Sequence, residues 1–137
     1  MVIDADQWYS GVKADAIVST RKGQVCAVQT ADCLPVLLAA NNGSVIGAAH
    51  AGWRGLCAGV LENTIQAMLD EVPGLTAKNI IAWMGPAIGP QAFEVGEDVR
   101  DAFMQANISI LSKAFLPSLH NPGKYFANLY LLAETRL

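Results

Sequence analysis

The sequence predicts a chain of the α/β class, on three observations. Short, mainly apolar runs recur at 16–18, 24–30, 34–40, 44–50 and 80–84, which is strand length and strand character. Between Leu56 and Leu69 the apolar residues instead repeat at three- and four-residue steps, the period of a helix buried on one face. Asn41-Asn42-Gly43 separates two of the runs. An Asn-Gly pair tolerates positive φ at both positions, so it marks a hairpin and makes the third and fourth strands antiparallel.

The elements follow in order. Ala16-Ile17-Val18 reads as a strand, Gln24 to Thr30 as a second, Leu34 to Ala40 as a third and Ser44 to His50 as a fourth. The third and fourth are apolar almost throughout, which predicts a sheet covered on both faces. Gly52-Trp53-Arg54-Gly55 interrupts the pattern. The helix that follows carries Leu56, Val60, Leu61, Ile65, Met68 and Leu69 on one face and ends near Val72-Pro73-Gly74. Ile80 to Met84 reads as a buried strand, Gly85 to Pro90 as a stiff loop and Phe93-Glu94-Val95 as a brief strand. Glu97 to Gln105 forms a helix with Val99 and Phe103 together. Asn107 to Gly123 carries no clear period. Leu129, Leu132 and Ala133 give Phe126 to Leu137 a helical one.

Composition narrows the function classes. The 137 residues are 53% apolar and only 15% charged. About 25% charge is usual for a soluble domain. The deficit predicts apolar surface awaiting further chain or a second copy, with self-association as the consequence. Val2-Ile3-Asp4 looks like the end of a strand and Leu137 has no polar tail after it, so both ends read as cut. Residues 1–137 read as one truncated domain. Net charge is −3 with no basic stripe, which argues against a nucleic-acid binder. No apolar run approaches the roughly 18 residues that span a bilayer, and the N-terminus lacks the regions of a signal peptide. Cys26, Cys33 and Cys57 are odd in number and fit no disulfide framework. These features predict a cytoplasmic protein.

Two clusters could carry chemistry. In Thr30-Ala31-Asp32-Cys33-Leu34-Pro35, a polar break separates two strands. Cys33 could be a thiolate ligand, a nucleophile or a small buried hydrophobe. Asp32 could act beside it or hold a turn. In His50-Ala51-Gly52-Trp53-Arg54-Gly55, a histidine ends one strand and an arginine opens a helix. The guanidinium fork suits phosphate, and Gly52 lets backbone approach a ligand. The alternative is a satisfied histidine beside a surface arginine. The hairpin brings Cys33 and His50 to its open end, side by side. A thiolate and an imidazole there suit zinc, or a cysteine–histidine nucleophile pair. Cys26 and Cys57 read as core residues. Nothing around His120 recommends it as a further ligand.

Thr30-Ala31-Asp32-Cys33-Leu34-Pro35, His50-Ala51-Gly52-Trp53-Arg54-Gly55 and Gly85-Pro86-Ala87-Ile88-Gly89-Pro90 with Phe93-Glu94-Val95-Gly96 together resemble one family's signature blocks. Lys13-Ala14-Asp15-Ala16 resembles a further block. The family is the multicopper polyphenol oxidase (laccase-like) family, whose members are also described as purine nucleoside phosphorylases and as a peptidoglycan editing factor. The resemblance implies a layered α/β/β/α sandwich with mixed sheets, present here in part. It implies a zinc site of one cysteine and two histidines, with Cys33 and His50 as two of the three. The family's earlier histidine lies in a motif upstream of Met1, and its Cys- and Arg-containing segment lies beyond Leu137.

The implied activity is phosphorolysis of adenosine, inosine and methylthioadenosine, together with hydrolytic deamination of adenosine. Arg54 would then hold phosphate, with Asp15, Gly52 and Glu94 near the substrate and Asp15, Asp32 or Glu94 moving a proton. Copper is the alternative metal. Two histidines are too few for a multicopper oxidase, which leaves a single copper-loaded site as the oxidase reading. Other readings are a cysteine–histidine hydrolase acting on peptidoglycan precursors and an inactive fragment.

Overall fold

The computed structural model describes residues 1–4, 12–106 and 111–137. Its architecture is mixed α/β, with two sheets. The larger is built from β1 (Val2–Asp4), β2 (Ala16–Ser19), β3 (Leu34–Ala40), β4 (Ile46–Ala51) and β5 (Ile80–Met84) in the order β1-β2-β4-β3-β5. β1 runs parallel to β2 and the remaining pairs are antiparallel. The smaller sheet is antiparallel, with β6 (Glu94–Gly96), β7 (Phe115–Pro117) and β8 (Lys124–Ala127) in the order β6-β8-β7.

β3 and β4 form the expected hairpin, with Pro35 opposite His50 and Leu34 opposite Ala51. Gly43 takes a φ of +72° in the turn, which an L side chain resists. Side chains alternate across the sheet. Leu34, Val36, Leu38 and Ala40 of β3 therefore join Ala49 and Ala51 of β4 and Ala16 and Val18 of β2 on one buried face. Helix α2 (Val60–Glu71) covers that face through Val60, Leu61, Thr64 and Met68. Thr64 satisfies its hydroxyl inside the core by donating to the Val60 carbonyl at 2.6 Å.

The opposite face is not fully covered, contrary to the expectation from continuous apolar strands. Leu37 is 44% exposed, and its neighbours on edge strand β5, Ile81 and Trp83, are 63% and 58% exposed. The low charge of the sequence thus corresponds to an open apolar sheet face.

Three element boundaries differ from the sequence reading. Gln24 to Thr30 is not a strand. Its burial does alternate, with Gln24, Cys26, Val28 and Thr30 half-buried between exposed neighbours. Yet β2 already has β1 on one side and β4 on the other, so no edge beside it is left to pair. The helix from Leu56 breaks into α1 (Trp53–Cys57) and α2, because Gly59 turns left-handed at φ +78° and starts α2 afresh. The C-terminal helix begins late, as α5 (Leu129–Glu134). Phe126 and Ala127 belong instead to β8, where Glu94 and Leu116 flank Phe126 in register. Asn128 caps α5 by accepting from the Leu131 amide at 3.1 Å.

Of the segment without clear period, 107–110 lies outside the described residues. The rest holds α4 (Leu111–Ala114), β7 and the turn into β8. Helix α3 (Glu97–Gln105) packs on the small sheet through Val99 and Phe103, as its spacing predicts. The Phe103 ring meets Phe115 at 5.6 Å between centroids. Buried residues of both sheets and of α1, α2, α3 and α5 belong to one cluster. Cys57 packs against that cluster, and Cys26 is half-buried on the 24–30 segment. Among the described residues, no helix is long and apolar enough to cross a membrane.

Candidate metal and anion site

The open end of the hairpin places the candidate residues. Cys33 directly precedes β3, His50 lies near the end of β4, and Gly52 follows β4. The His50 amide donates to the Asp15 carbonyl at 2.8 Å, which ties the 12–15 segment to the same corner. Asp15, Cys33, His50, Gly52, Trp53, Arg54 and Gly55 together line a cavity of about 190 Å³. Five of the seven residues singled out from sequence therefore converge.

Two details give this corner chemical character. His50 Nε2 is buried and has no hydrogen-bond partner among the described residues. A buried polar atom without a partner costs about 1–3 kcal/mol, so such atoms are rare and ask for a ligand or a functional reason. The second detail is the space at Gly52. A Cβ on residue 52 would stand 3.0 Å from Cys33 Sγ and 3.5 Å from His50 Nε2. Thiol and imidazole thus border one small space that a side chain at 52 would fill. A sulfur and an imidazole nitrogen are the donor types that zinc and copper(I) prefer, so the residues present fit part of a metal centre. Among the described residues, no third His, Cys, Asp or Glu completes a metal-binding group.

Arg54 is exposed, and its guanidinium carbon lies 4.3 Å from the centroid of the Trp53 ring. Stacking holds the planar fork at the cavity rim without neutralising it. Among the described residues, no carboxylate lies within ion-pair distance of it. The helix it opens has only five residues, so an anion here would rest on the guanidinium rather than on a helix N-terminus.

The remaining two candidates lie outside the cavity wall. Asp32 is exposed, and its backbone carbonyl accepts from the Ile88 amide at 2.9 Å. Glu94 sits on β6 in the small sheet. The Asn121 side-chain amide donates to both its oxygens at 2.9 Å, and the Ser118 hydroxyl donates at 2.8 Å. These bonds, Asn121 first, hold its carboxyl below its ordinary value. A lowered folded pKa contributes stability above the unfolded pKa and loses it as pH falls through the folded one. Glu94→Gln should therefore be less stable than the parent near neutral pH, with the difference shrinking in acid. Urea midpoints from about pH 7 down to about pH 3 would measure this, and a gap that stayed constant would contradict it.

Tyr130 is a feature that the sequence reading passed over. Its hydroxyl accepts from the Ala87 amide at 2.9 Å and donates to the Gly85 carbonyl at 3.1 Å. A tyrosine on a short amphipathic helix carries no signal that it reaches a loop more than forty positions away.

Residues 1–137 match, along their whole length, the family described as multi-copper polyphenol oxidoreductase laccase. The chain belongs to this family. It is 51% identical to purine nucleoside phosphorylase YfiH of Escherichia coli over 129 residues, which are 94% of this chain and 49% of the relative. It is 49% identical to a purine nucleoside phosphorylase of Pseudomonas aeruginosa over 126 residues, 92% of this chain and 49% of that one. A crystal structure of a Neisseria meningitidis protein superposes with a TM-score of 0.85 at 46% identity, covering 98% of this chain and 52% of that chain. YfiH of Bacillus licheniformis superposes with a TM-score of 0.80 at 29% identity, over 89% of this chain and 45% of that one. The chain spans about half the length of the curated relatives it matches.

Proposed function

We propose that this chain carries the zinc-ligating and phosphate-holding part of a purine nucleoside enzyme. The observation that carries the reading is the buried, partnerless His50 Nε2 facing the same space as Cys33 Sγ, with Arg54 on the cavity rim. The family and the relatives named purine nucleoside phosphorylase supply the reaction class. Adenosine, inosine and methylthioadenosine are the proposed substrates, with adenosine deamination as a further activity.

Cys33 and His50 would hold the metal. A zinc ion held there would supply Lewis-acid chemistry to the site. The other steps fall to the chain's own groups. Arg54 holds a phosphate through its fork and screens the approach of that anion to the sugar. A phosphate oxygen then bonds to the anomeric carbon while the glycosidic bond breaks, and the base leaves with the electron pair and takes up the proton that the hydrogen phosphate gives up. Asp15 is the one carboxylate of the three candidates that lines the cavity, which makes it the residue for hydrogen bonding to the nucleoside.

Arg54→Ala tests the assignment. In a form extended at its N-terminus by the upstream segment that the family resemblance implies, phosphate-dependent release of base from inosine should show KM for phosphate raised about 10-fold or more, as loss of a charge-assisted contact implies. An unchanged phosphate KM would remove Arg54 from the anion site.

The same thiol–imidazole pair also fits a cysteine hydrolase. Alkylation of Cys33 that a chelator leaves unaltered, in that extended form, would favour the hydrolase over the metal.

A further inference from the structure

The Gly85 to Pro90 loop has no group of its own in the cavity described above, yet it is pinned against the segment that carries Cys33. Three of its backbone amides are held. The Gly85 amide donates to the Pro35 carbonyl at 2.9 Å, and the Ile88 amide donates to the Asp32 carbonyl at 2.9 Å. Between them, the Ala87 amide donates to Tyr130 Oη, which in turn donates to the Gly85 carbonyl. The contact is close. A Cβ at residue 85 would fall 2.8 Å from Pro35 Cγ and 3.1 Å from the Trp83 ring. The two carbonyls that the loop grips, Asp32 and Pro35, bracket Cys33.

Tyr130 comes from a different part of the fold. It is half-buried on α5, whose Leu129, Leu132 and Ala133 are buried in the core. That core anchor gives its hydroxyl a fixed position. The loop has two direct bonds to the Cys33 segment, and the hydroxyl bridges the loop residues lying between them.

We propose that Tyr130 is a positioning residue for Cys33, acting through the Gly85–Pro90 loop. The hydroxyl fixes the curvature of the loop, and the loop fixes the backbone on both sides of the thiol. Its consequence for metal binding rests on Cys33 being a ligand, whereas its effect on the thiol itself does not. Supporting groups of this kind typically change metal affinity about 10–100-fold when removed.

The test removes only the hydroxyl. Tyr130→Phe and the parent are treated with iodoacetamide in the presence of a chelator, and labelling of Cys33 and Cys57 is followed separately by peptide mass spectrometry. Cys57 is the internal reference. Burial pushes its thiol up, the charge of Arg136 opposing that shift, and it packs against the core from α1. The expected result is a Cys33 labelling rate raised about threefold or more with the Cys57 rate unchanged. Tyr125→Phe also loses a tyrosine hydroxyl, the acceptor for Arg100 at 2.6 Å in the small sheet. It should leave Cys33 at the parental rate. An unchanged or slower Cys33 in Tyr130→Phe overturns the proposal. So does a parallel rise in Cys57, which would mean general loosening. Should Tyr130→Phe fail to fold, amide exchange in the parent decides. Ala87 and Ile88 must be protected, and exchange at the rate of an open loop overturns the proposal.

The two readings separate cleanly. A faster Cys33 together with unaltered zinc affinity in the N-terminally extended Tyr130→Phe form would keep the strap and reject the thiol as a ligand. Parental labelling together with Cys33-dependent zinc binding would reject the strap and keep the metal.

Discussion

Cys33→Ala and His50→Ala are each expected to lower inosine phosphorolysis at least about 100-fold in the N-terminally extended form, without unfolding it. The size follows from the role. Loss of a direct ligand should cost at least as much as loss of a group that only supports one. Folding should survive because neither residue is part of the packed core: both are half-buried at the open end of the β3–β4 hairpin. With the metal stripped by a chelator, His50→Ala removes a buried nitrogen that has no hydrogen-bond partner among the described residues, so its effect on the stability of the metal-free fold is expected to be small or favourable. The signature to look for is therefore lost turnover with a urea midpoint, measured in chelator, that matches the metal-free parent. Circular dichroism and denaturation run beside the assay would reveal any unfolding.

The largest expected effect on stability lies elsewhere. Phe103→Ala should destabilise the fold by about 3–5 kcal/mol. Phe103 is fully buried, the largest such side chain among the described residues, and its ring meets Phe115 across the gap between α3 and the small sheet. Truncation removes apolar contact on both sides and leaves a cavity that a helix and a sheet cannot close together. The change would appear as a lower urea midpoint with an unaltered slope. A loss below about 1 kcal/mol would mean that the small sheet does not rely on this contact.

Much of this architecture can be read from the sequence where a local signal has no competitor. Asn41-Asn42-Gly43 dictates the hairpin because the positive φ at Gly43 suits few other residues. The strict spacing of Val99 and Phe103 places α3. Period alone misleads at 24–30, because alternation describes an extended chain and not the presence of a neighbour to pair with. It misleads again at Phe126, where the apolar spacing of α5 continues smoothly into a strand. Only the pairing with Glu94 and Leu116 decides between them.

The site shows the same division. The meeting of Cys33 and His50 follows from hairpin register, since residues that flank paired strands must be neighbours. Asp15 joins them through the place of β2 beside β4, which no local pattern encodes. Glu94 and Asp32 sit in stretches much like those of the other candidates, yet the fold points one into the small sheet and gives the other's carbonyl to a loop. Tyr130 reaches its loop only once α5 has docked.

The account rests on Cys33 and His50 binding one metal ion together. Zinc stoichiometry after exhaustive dialysis tests it most directly, measured on the N-terminally extended form, on Cys33→Ala and His50→Ala of that form, and on the 137-residue chain itself. The prediction is stoichiometric zinc in the extended parent, and zinc reduced about tenfold or more in each variant and in the shorter chain, where no third metal-binding side chain is grouped with the two proposed ligands among the described residues. Full zinc retention by Cys33→Ala and His50→Ala would contradict it.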